Sequence, residues 1–312
     1  MSPPNHRYDT RVVPYDEAAI AEAAALILAG ECVAVPAETV YGLAADATND
    51  DAVARVYEAK GRPGFNPLIV HVAAREEAEA IAAFDDQARD LADRFWPGPL
   101  TLVLPSRAES LVSPRVRAGL PTIALRMPAH PAMRALIEAS GRPLAAPSAN
   151  SSGRISPTCA QHVLATLDGR IALVIDGGPT QAGLESTIVA LGADGARLLR
   201  PGPVTAAQLA IPLDTAPRGI EAPGQLDHHY RPSKPLALNR SARHNGEWLI
   251  GFGAIEGNAN LSRDGDLAEA AASLFACLHE ADASGSASIA VAHIPHEGLG
   301  VAINDRLRRA AS

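Results

Sequence analysis

Apolar positions in this chain follow two alternating rhythms. Short runs with little polar interruption, Cys32 to Val35, Leu68 to Val72, Leu100 to Leu104, Thr122 to Leu125, Leu144 to Ala146 and Leu173 to Ile175, have the length and aliphatic content of buried strands. Between and before them, apolar residues recur at helical spacing over Ala19 to Leu28, Ala52 to Lys60, Arg75 to Ala83, Asp86 to Phe95, Pro131 to Ala139 and Cys159 to Leu167. In the second of these, Val53, Val56 and Tyr57 share a face, and Asn49, Asp50 and Asp51 offer N-cap oxygens just ahead of it. A further strand pair is expected over Gly183 to Ala190 and Ala196 to Leu199, followed by a short helix from Thr205 to Leu209. The alternation predicts an α/β fold around one core.

From about Pro212 to Leu236 the rhythm stops, and Pro, Gly and His take over, as in a stiff linker without a core face. The run His228-His229-Tyr230-Arg231-Pro232 carries more polar and aromatic chemistry than a neutral connector needs. Strands at Leu249 to Phe252 and Ala287 to His293, with helices at Asp266 to His279 and Gly300 to Arg309, then predict a small second α/β domain. The expected division is 12–211, a linker over 212–239, and 240–312.

A chain of 312 residues suffices for two domains with a sizeable core in the larger. Its net charge of −8 argues against a broadly basic nucleic-acid-binding surface but leaves room for a local basic pocket, and 4% aromatics are too few for a single-strand stacking platform. The segment Met1 to Val13 is polar, and no apolar run approaches the roughly 18 residues of a membrane span. Cys32, Cys159 and Cys277 are too scattered for a C-x-x-C site or a disulfide framework, which fits a reducing cytoplasm.

Two distant fragments carry the candidate chemistry. In Lys60-Gly61-Arg62-Pro63, running on through Asn66-Pro67-Leu68-Ile69-Val70-His71, two cations stand at a helix C-terminus where the macrodipole favours them, and Gly61 supplies a left-handed exit. Alone that is a helix cap. With Pro63 and Pro67 stiffening the loop and a buried strand delivering His71, it suits a phosphate or carboxylate. The second fragment is Pro147-Ser148-Ala149-Asn150, with Ser156 nearby. Other polar clusters at predicted strand ends are Pro36-Ala37-Glu38-Thr39, Thr122 to Arg126, Leu184-Glu185-Ser186-Thr187 and Leu199-Arg200-Pro201-Gly202.

Together these motifs resemble the Sua5/YrdC/YciO family of threonylcarbamoyl-AMP synthases in its long form. The KxR pair (Lys60, Arg62), the SxN pair (Ser148, Asn150), Phe95-Trp96-Pro97-Gly98-Pro99-Leu100-Thr101 and Asp176-Gly177-Gly178 carry the likeness, densely over about residues 15 to 210 and more sparsely beyond. The resemblance implies a YrdC-like open twisted sheet with helices around a concave pocket, plus a small Rossmann-like C-terminal domain. It implies synthesis of L-threonylcarbamoyl-AMP and pyrophosphate from L-threonine, bicarbonate or CO2, and ATP with Mg2+, without a metal cage of protein side chains. The product would pass to a tRNA threonylcarbamoyl-transferase complex for N6-threonylcarbamoyladenosine, with weak tRNA binding left open.

By the same resemblance, Thr39, His71, Arg126 and Ser186 match threonine-binding positions. Lys60, Arg62, Asn66, Thr122, Ser148, Asn150, Ser156 and Arg200 match the nucleotide side, with Lys60 and Arg62 expected to meet transition-state charge. The linker is expected to fold over the site through His229 and Tyr230. Glu38 and Glu185 are expected to be structural, since a free carboxylate beside an anionic nucleotide would repel it. Two departures stand out: Ala37 where Thr is common, and Ala146 where a hydroxyl is common, the latter removing a hydrogen bond worth about 0.5 to 1.5 kcal/mol. The competing readings are an RNA-binding module, against which the charge weighs, and a carbamoyl-transfer enzyme of hydrogenase maturation, whose zinc-binding cysteine pairs have no counterpart here.

Overall fold

The computed structural model describes residues 8–216, 219, 221–225 and 229–312; Met1 to Arg7 and His228 lie outside the described residues. In chain order the first unit comprises β1 (Arg11–Pro14), α1 (Glu17–Leu28), β2 (Val33–Val35), β3 (Gly42–Asp46), α2 (Asp50–Lys60), β4 (Ile69–His71), α3 (Arg75–Ile81), α4 (Asp86–Phe95) and β5 (Leu100–Pro105). It continues through a 3-10 turn (Pro114–Arg117), β6 (Thr122–Arg126), α5 (Pro131–Ser140), β7 (Leu144–Ala145), α6 (Ala160–Leu167), β8 (Leu173–Asp176), β9 (Thr187–Gly192), β10 (Gly195–Arg200) and α7 (Ala206–Leu209).

Ten strands join in the order β1-β8-β2-β3-β7-β4-β6-β5-β9-β10. The sheet is mixed: β4 runs parallel to β6, and β5 to β9, while β3 and β7 are antiparallel to their partners. Central strands such as β2 and β4 are buried along their whole length, which is why they read as continuous apolar runs rather than alternations. The second unit is β11 (Leu236–Arg240), β12 (Glu247–Gly251), β13 (Ala259–Asn260), α8 (Leu267–Ala283), β14 (Ser288–Ala292) and α9 (Gly300–Ala311), its sheet parallel in the order β11-β14-β12-β13. Among the described residues no helix is long and apolar enough to cross a membrane.

The two units share a core. Val40, Ile155, Leu184 and Tyr230 belong to the same buried cluster as Leu274, Phe275 and Ile303. The His162 and His279 rings stack across the boundary with centroids 3.8 Å apart.

Local structure departs from the pattern in four places. The strand expected from Gly183 begins only at Thr187, because Gly183 is left-handed and the polar groups of Glu185 and Ser186 are taken up by side-chain bonds. β3 was hidden by its Gly-Leu-Ala-Ala-Asp composition, which is poor in β-branched residues yet fully buried between β2 and β7. The polar N-terminal stretch contains β1, an edge strand paired to β8. The expected linker over 212–239 gives up residues at both ends: Asp214 pairs with the main chain of Ala196 and Leu198, and Leu236 already opens β11, whose half-buried alternation is weak as a signal.

Candidate functional site

Helix α2 delivers the first cations. Asn49 caps it, accepting from the main-chain N–H groups of Asp51 and Ala52, and Gly61 ends it in the left-handed conformation at φ 58°. That exit returns the chain so that Lys60 points inward and is 2% exposed. Its Nζ donates to the main-chain oxygens of Ser148 at 2.6 Å and of Asn150 at 2.5 Å. Arg62 folds over its own loop, Nε donating to the Asn66 oxygen at 3.1 Å and a terminal nitrogen to the Pro67 oxygen at 2.7 Å.

β4 and β6 lie side by side in register, so His71 stands opposite Arg126. Arg126 donates to Thr39 Oγ1 at 3.0 Å and to the Gly98 oxygen at 3.1 Å, and forms an ion pair with Glu38 at 2.5 Å. On the opposite wall Ser186 Oγ meets Thr101 Oγ1 at 2.7 Å and accepts from Arg200 at 3.1 Å, while Arg200 Nε donates to the Ser186 oxygen at 3.0 Å. Ser156 donates to Glu185, whose other oxygen accepts from Arg306 of α9 at 2.8 Å.

Thr39, Arg62, His71, Arg126, Ser148, Ser186, Arg200 and His229 all line one cavity of about 40 Å³, together with Ala37, Met133, Ala146 and Pro223. Lys60, Asn66, Asn150, Ser156 and Tyr230 are not on its wall; four of them bond or stack directly to a wall residue, Lys60 to Ser148, Asn66 to Arg62, Ser156 to Glu185 and Tyr230 to His229. Asn150 joins through Lys60. Thr122 is not brought in: it pairs with Pro105 at the far end of β6, about 13 Å of strand rise from Arg126, because a strand cannot present both its ends to one pocket.

The electrostatics are those of a buried, arginine-rich pocket. Burial, reinforced by Arg62, holds the Lys60 ammonium well below its usual value, and burial brings Arg62 down to about 10 and lowers Arg200. Among the described residues none of these three forms an ion pair with a carboxylate. His71 and His229 are pushed down to about 3, mainly by burial and then by arginine charges, so both rings are neutral at pH 7. Burial raises the carboxyls of Glu38 and Glu185, but arginine overrides it: Arg126 holds Glu38 below its ordinary value, and Arg306 with Arg200 takes Glu185 to about 2. Several buried polar atoms still lack partners among the described residues, including the Asn66 amide, His71 Nδ1, Asn150 Oδ1, His229 Nδ1 and the Tyr230 hydroxyl.

The sequence reading missed Arg306. The signal was there: Arg306 falls among Ala302, Ile303, Leu307 and Ala310 on the apolar face of α9, where an arginine needs a partner. Pro223 and Met133 carry no polar signal and could not have been found.

Fold and site together define an α/β enzyme built around one arginine-lined pocket. The family profile described as "Telomere recombination" matches residues 25–202, and that described as "Threonylcarbamoyl-AMP synthase, C-terminal domain" matches residues 198–312. The threonylcarbamoyl-AMP synthase of Bacillus subtilis is 43% identical over 321 aligned positions, covering 94% of this chain and 92% of the relative, and that of Pyrococcus abyssi is 41% identical over 93% of each. The crystal structure of P. abyssi Sua5 complexed with L-threonine superposes with a TM-score of 0.87 at 37% identity, covering 97% of both chains. The chain belongs to the Sua5-type threonylcarbamoyl-AMP synthases, nucleotidyltransferases with a YrdC-type domain and a Sua5 C-terminal domain.

Proposed function

We propose that the protein joins L-threonine, CO2 or bicarbonate, and ATP into L-threonylcarbamoyl-AMP and pyrophosphate, in the cytoplasm, for N6-threonylcarbamoyladenosine in tRNA. The observation that carries this reading is the convergence of Arg62, Arg126 and Arg200 on one small pocket, two of them with no carboxylate of their own among the described residues. Such a pocket is organised for an anion before the anion arrives.

Threonine is held by Thr39, His71, Arg126 and Ser186. Arg126 is already braced by Glu38, Thr39 and Gly98, so its guanidinium meets the substrate carboxylate without reorganising. Lys60, Arg62, Ser148, Asn150, Ser156 and Arg200 surround the triphosphate. The threonine nitrogen bonds to CO2 and loses a proton; a carbamate oxygen then attacks the α-phosphorus as the bond to the bridging β-phosphate oxygen breaks, and pyrophosphate leaves with that electron pair. The protein's contribution is alignment and neutralisation of charge, most directly through Arg62 and Lys60. Bound with the triphosphate, Mg2+ would supply neutralisation of phosphate charge, and neither Glu38 nor Glu185 would hold it, since both carboxylates are engaged by arginines.

The catalytic unit runs to about residue 211, and the linker closes it. Pro223 and His229 form part of the wall of a cavity of about 40 Å³, too small for ATP as it stands, so the linker is expected to move when ATP enters. The adenylate then passes to a tRNA threonylcarbamoyl-transferase complex. The test is pyrophosphate release by purified protein with ATP, Mg2+ and bicarbonate. Release that depends on L-threonine supports the reading; no release from folded protein overturns it.

A further inference from the structure

Arg306 is completely buried, yet most of its contacts lie outside its own domain. Nε donates to Glu185 Oε2 at 2.8 Å, and one terminal nitrogen donates at 2.9 Å both to the Pro201 main-chain oxygen and to Asp305. Its guanidinium carbon stands 5.3 Å from the centre of the Tyr230 ring. One side chain of α9 thereby touches the loop before β9, the turn after Arg200 and the linker. Helix α8 grips the same loop: a Cβ on Gly183 would come within 2.5 Å of main-chain atoms of Ala271 and Ala272. The stretch from Gly183 to Ser186 is fixed by the second domain at both ends.

We propose that Arg306 is a positioning residue for adenylate synthesis, acting through Glu185 and making the C-terminal domain a structural part of the substrate site. This deepens the reading of the pocket given above and rests on it. Arg306 bonds the Glu185 carboxylate, and Arg200 lines the same pocket as Glu185, where its charge also acts on that carboxylate. While Arg306 occupies it, Arg200 is left to hold Ser186. Without Arg306 the buried carboxylate draws Arg200 to itself, and both Ser186 and the nucleotide-side cation lose their places. The role requires an arginine, because carboxylate, carbonyl and ring are met in different directions from one planar group.

The experiment is steady-state pyrophosphate release by full-length Arg306→Met, Arg306→Lys, Glu185→Gln and the Arg306→Met/Glu185→Gln double variant, with melting followed by circular dichroism. Arg306→Met is expected to raise the KM for threonine about 10-fold or more with a smaller change in kcat, and Arg306→Lys to fall between it and wild type. Glu185→Gln in the same chain removes the charge that recruits Arg200 and is expected to restore most of the threonine KM. Loss of folded protein instead lowers kcat at unchanged KM; that pattern, or wild-type KM values in Arg306→Met, overturns the proposal. Should Arg306→Met fail to fold, Arg306→Lys decides, and a wild-type threonine KM there overturns it. Wild-type protein without threonine-dependent release overturns the reading of the pocket itself, whereas active wild type with unaffected variants overturns only the role of Arg306.

Discussion

The ammonium of Lys60 donates to the main-chain oxygen of Ser148 at 2.6 Å. The two motifs that stand out in the sequence, 88 residues apart, are thus halves of one structure: the end of α2 is tied directly to the segment that follows β7. Lys60 therefore holds Ser148 and Asn150 in place, and in the reaction proposed above it has a second duty, adding charge to the phosphate side.

Replacing Lys60 by Met separates these duties from mere volume. The Asn150 oxygen loses its donor, at a cost of about 1 to 3 kcal/mol when it stays dry, whereas the Ser148 oxygen keeps the Asn150 main-chain N–H at 3.0 Å, so the melting temperature falls. Threonine-dependent pyrophosphate release is expected to fall at least about 100-fold, the scale of losing one preorganised charge stabiliser. Calorimetry and a pyrophosphate assay check the two effects separately.

Ala146 lines the pocket with Ser148 and Met133. Ala146→Ser adds one oxygen without a change of shape. A gain of about 0.5 to 1.5 kcal/mol is expected in threonine binding, or about 2- to 10-fold in Kd by titration calorimetry. Unchanged affinity would mean that the hydroxyl points away from the ligand.

How far these features could be read from the chain depended on whether their cause was local. An N-cap ahead of α2, which Asn49 supplies, the left-handed Gly61 and a buried strand carrying His71 follow from neighbours in sequence, and the structure has them, the strand one residue shorter at each end than Leu68 to Val72. β3 is a strand only because β2 and β7 bury it, so its Ala-rich sequence gives no hint. Thr122 and Arg126 share a strand, and only the sheet register decides which end reaches the pocket. Arg306 acts across a domain boundary, where a helical pattern can mark an out-of-place charge but cannot name its partner.

The Tyr230 hydroxyl is buried without a partner among the described residues, next to Arg200 through Gly224, and its ring is edge-on to His229 at 4.0 Å. An unpaired buried hydroxyl contributes nothing to the unliganded fold, so Tyr230→Phe is expected to leave stability within about 0.5 kcal/mol or raise it slightly. If the hydroxyl is kept for the nucleotide, the KM for ATP rises about 3- to 10-fold in the same variant. A variant that loses stability and keeps its KM would place the hydroxyl's partner in the protein.

The His162 and His279 stack titrates across the domain boundary. Burial, then the charge of His279, takes His162 down to about 4; burial also lowers His279, against the opposing effects of the Ser156 oxygen and Asp282. Both folded values lie below the unfolded one of about 6.5, so the unfolded chain binds more protons as pH falls. The stabilisation is complete above about pH 6.5 and is lost progressively down to about pH 4. His71 and His229, held near 3, extend the loss further into acid. Melting temperatures across this range are expected to fall, and His162→Asn, which keeps an acceptor for Thr158, to flatten the part between 6.5 and 4.

Gly183 offers the most selective test of how the domains meet. Its φ of +65° already disfavours any side chain, and a Cβ there would sit 2.5 Å from the main chain of α8, which has no flexible atom to move aside. Gly192, at the far end of β9, is the control: a methyl added there meets nothing within 4 Å, and its φ is not positive. Gly183→Ala is expected to cost about 2 kcal/mol or more and Gly192→Ala less than about 0.5 kcal/mol in denaturant unfolding. Because the strain falls at the contact, amide exchange in Gly183→Ala should accelerate first in α8 and in the 183–186 loop, ahead of the central strands. Equal acceleration throughout both sheets would instead mean that the two units open only together, as a single cooperative structure.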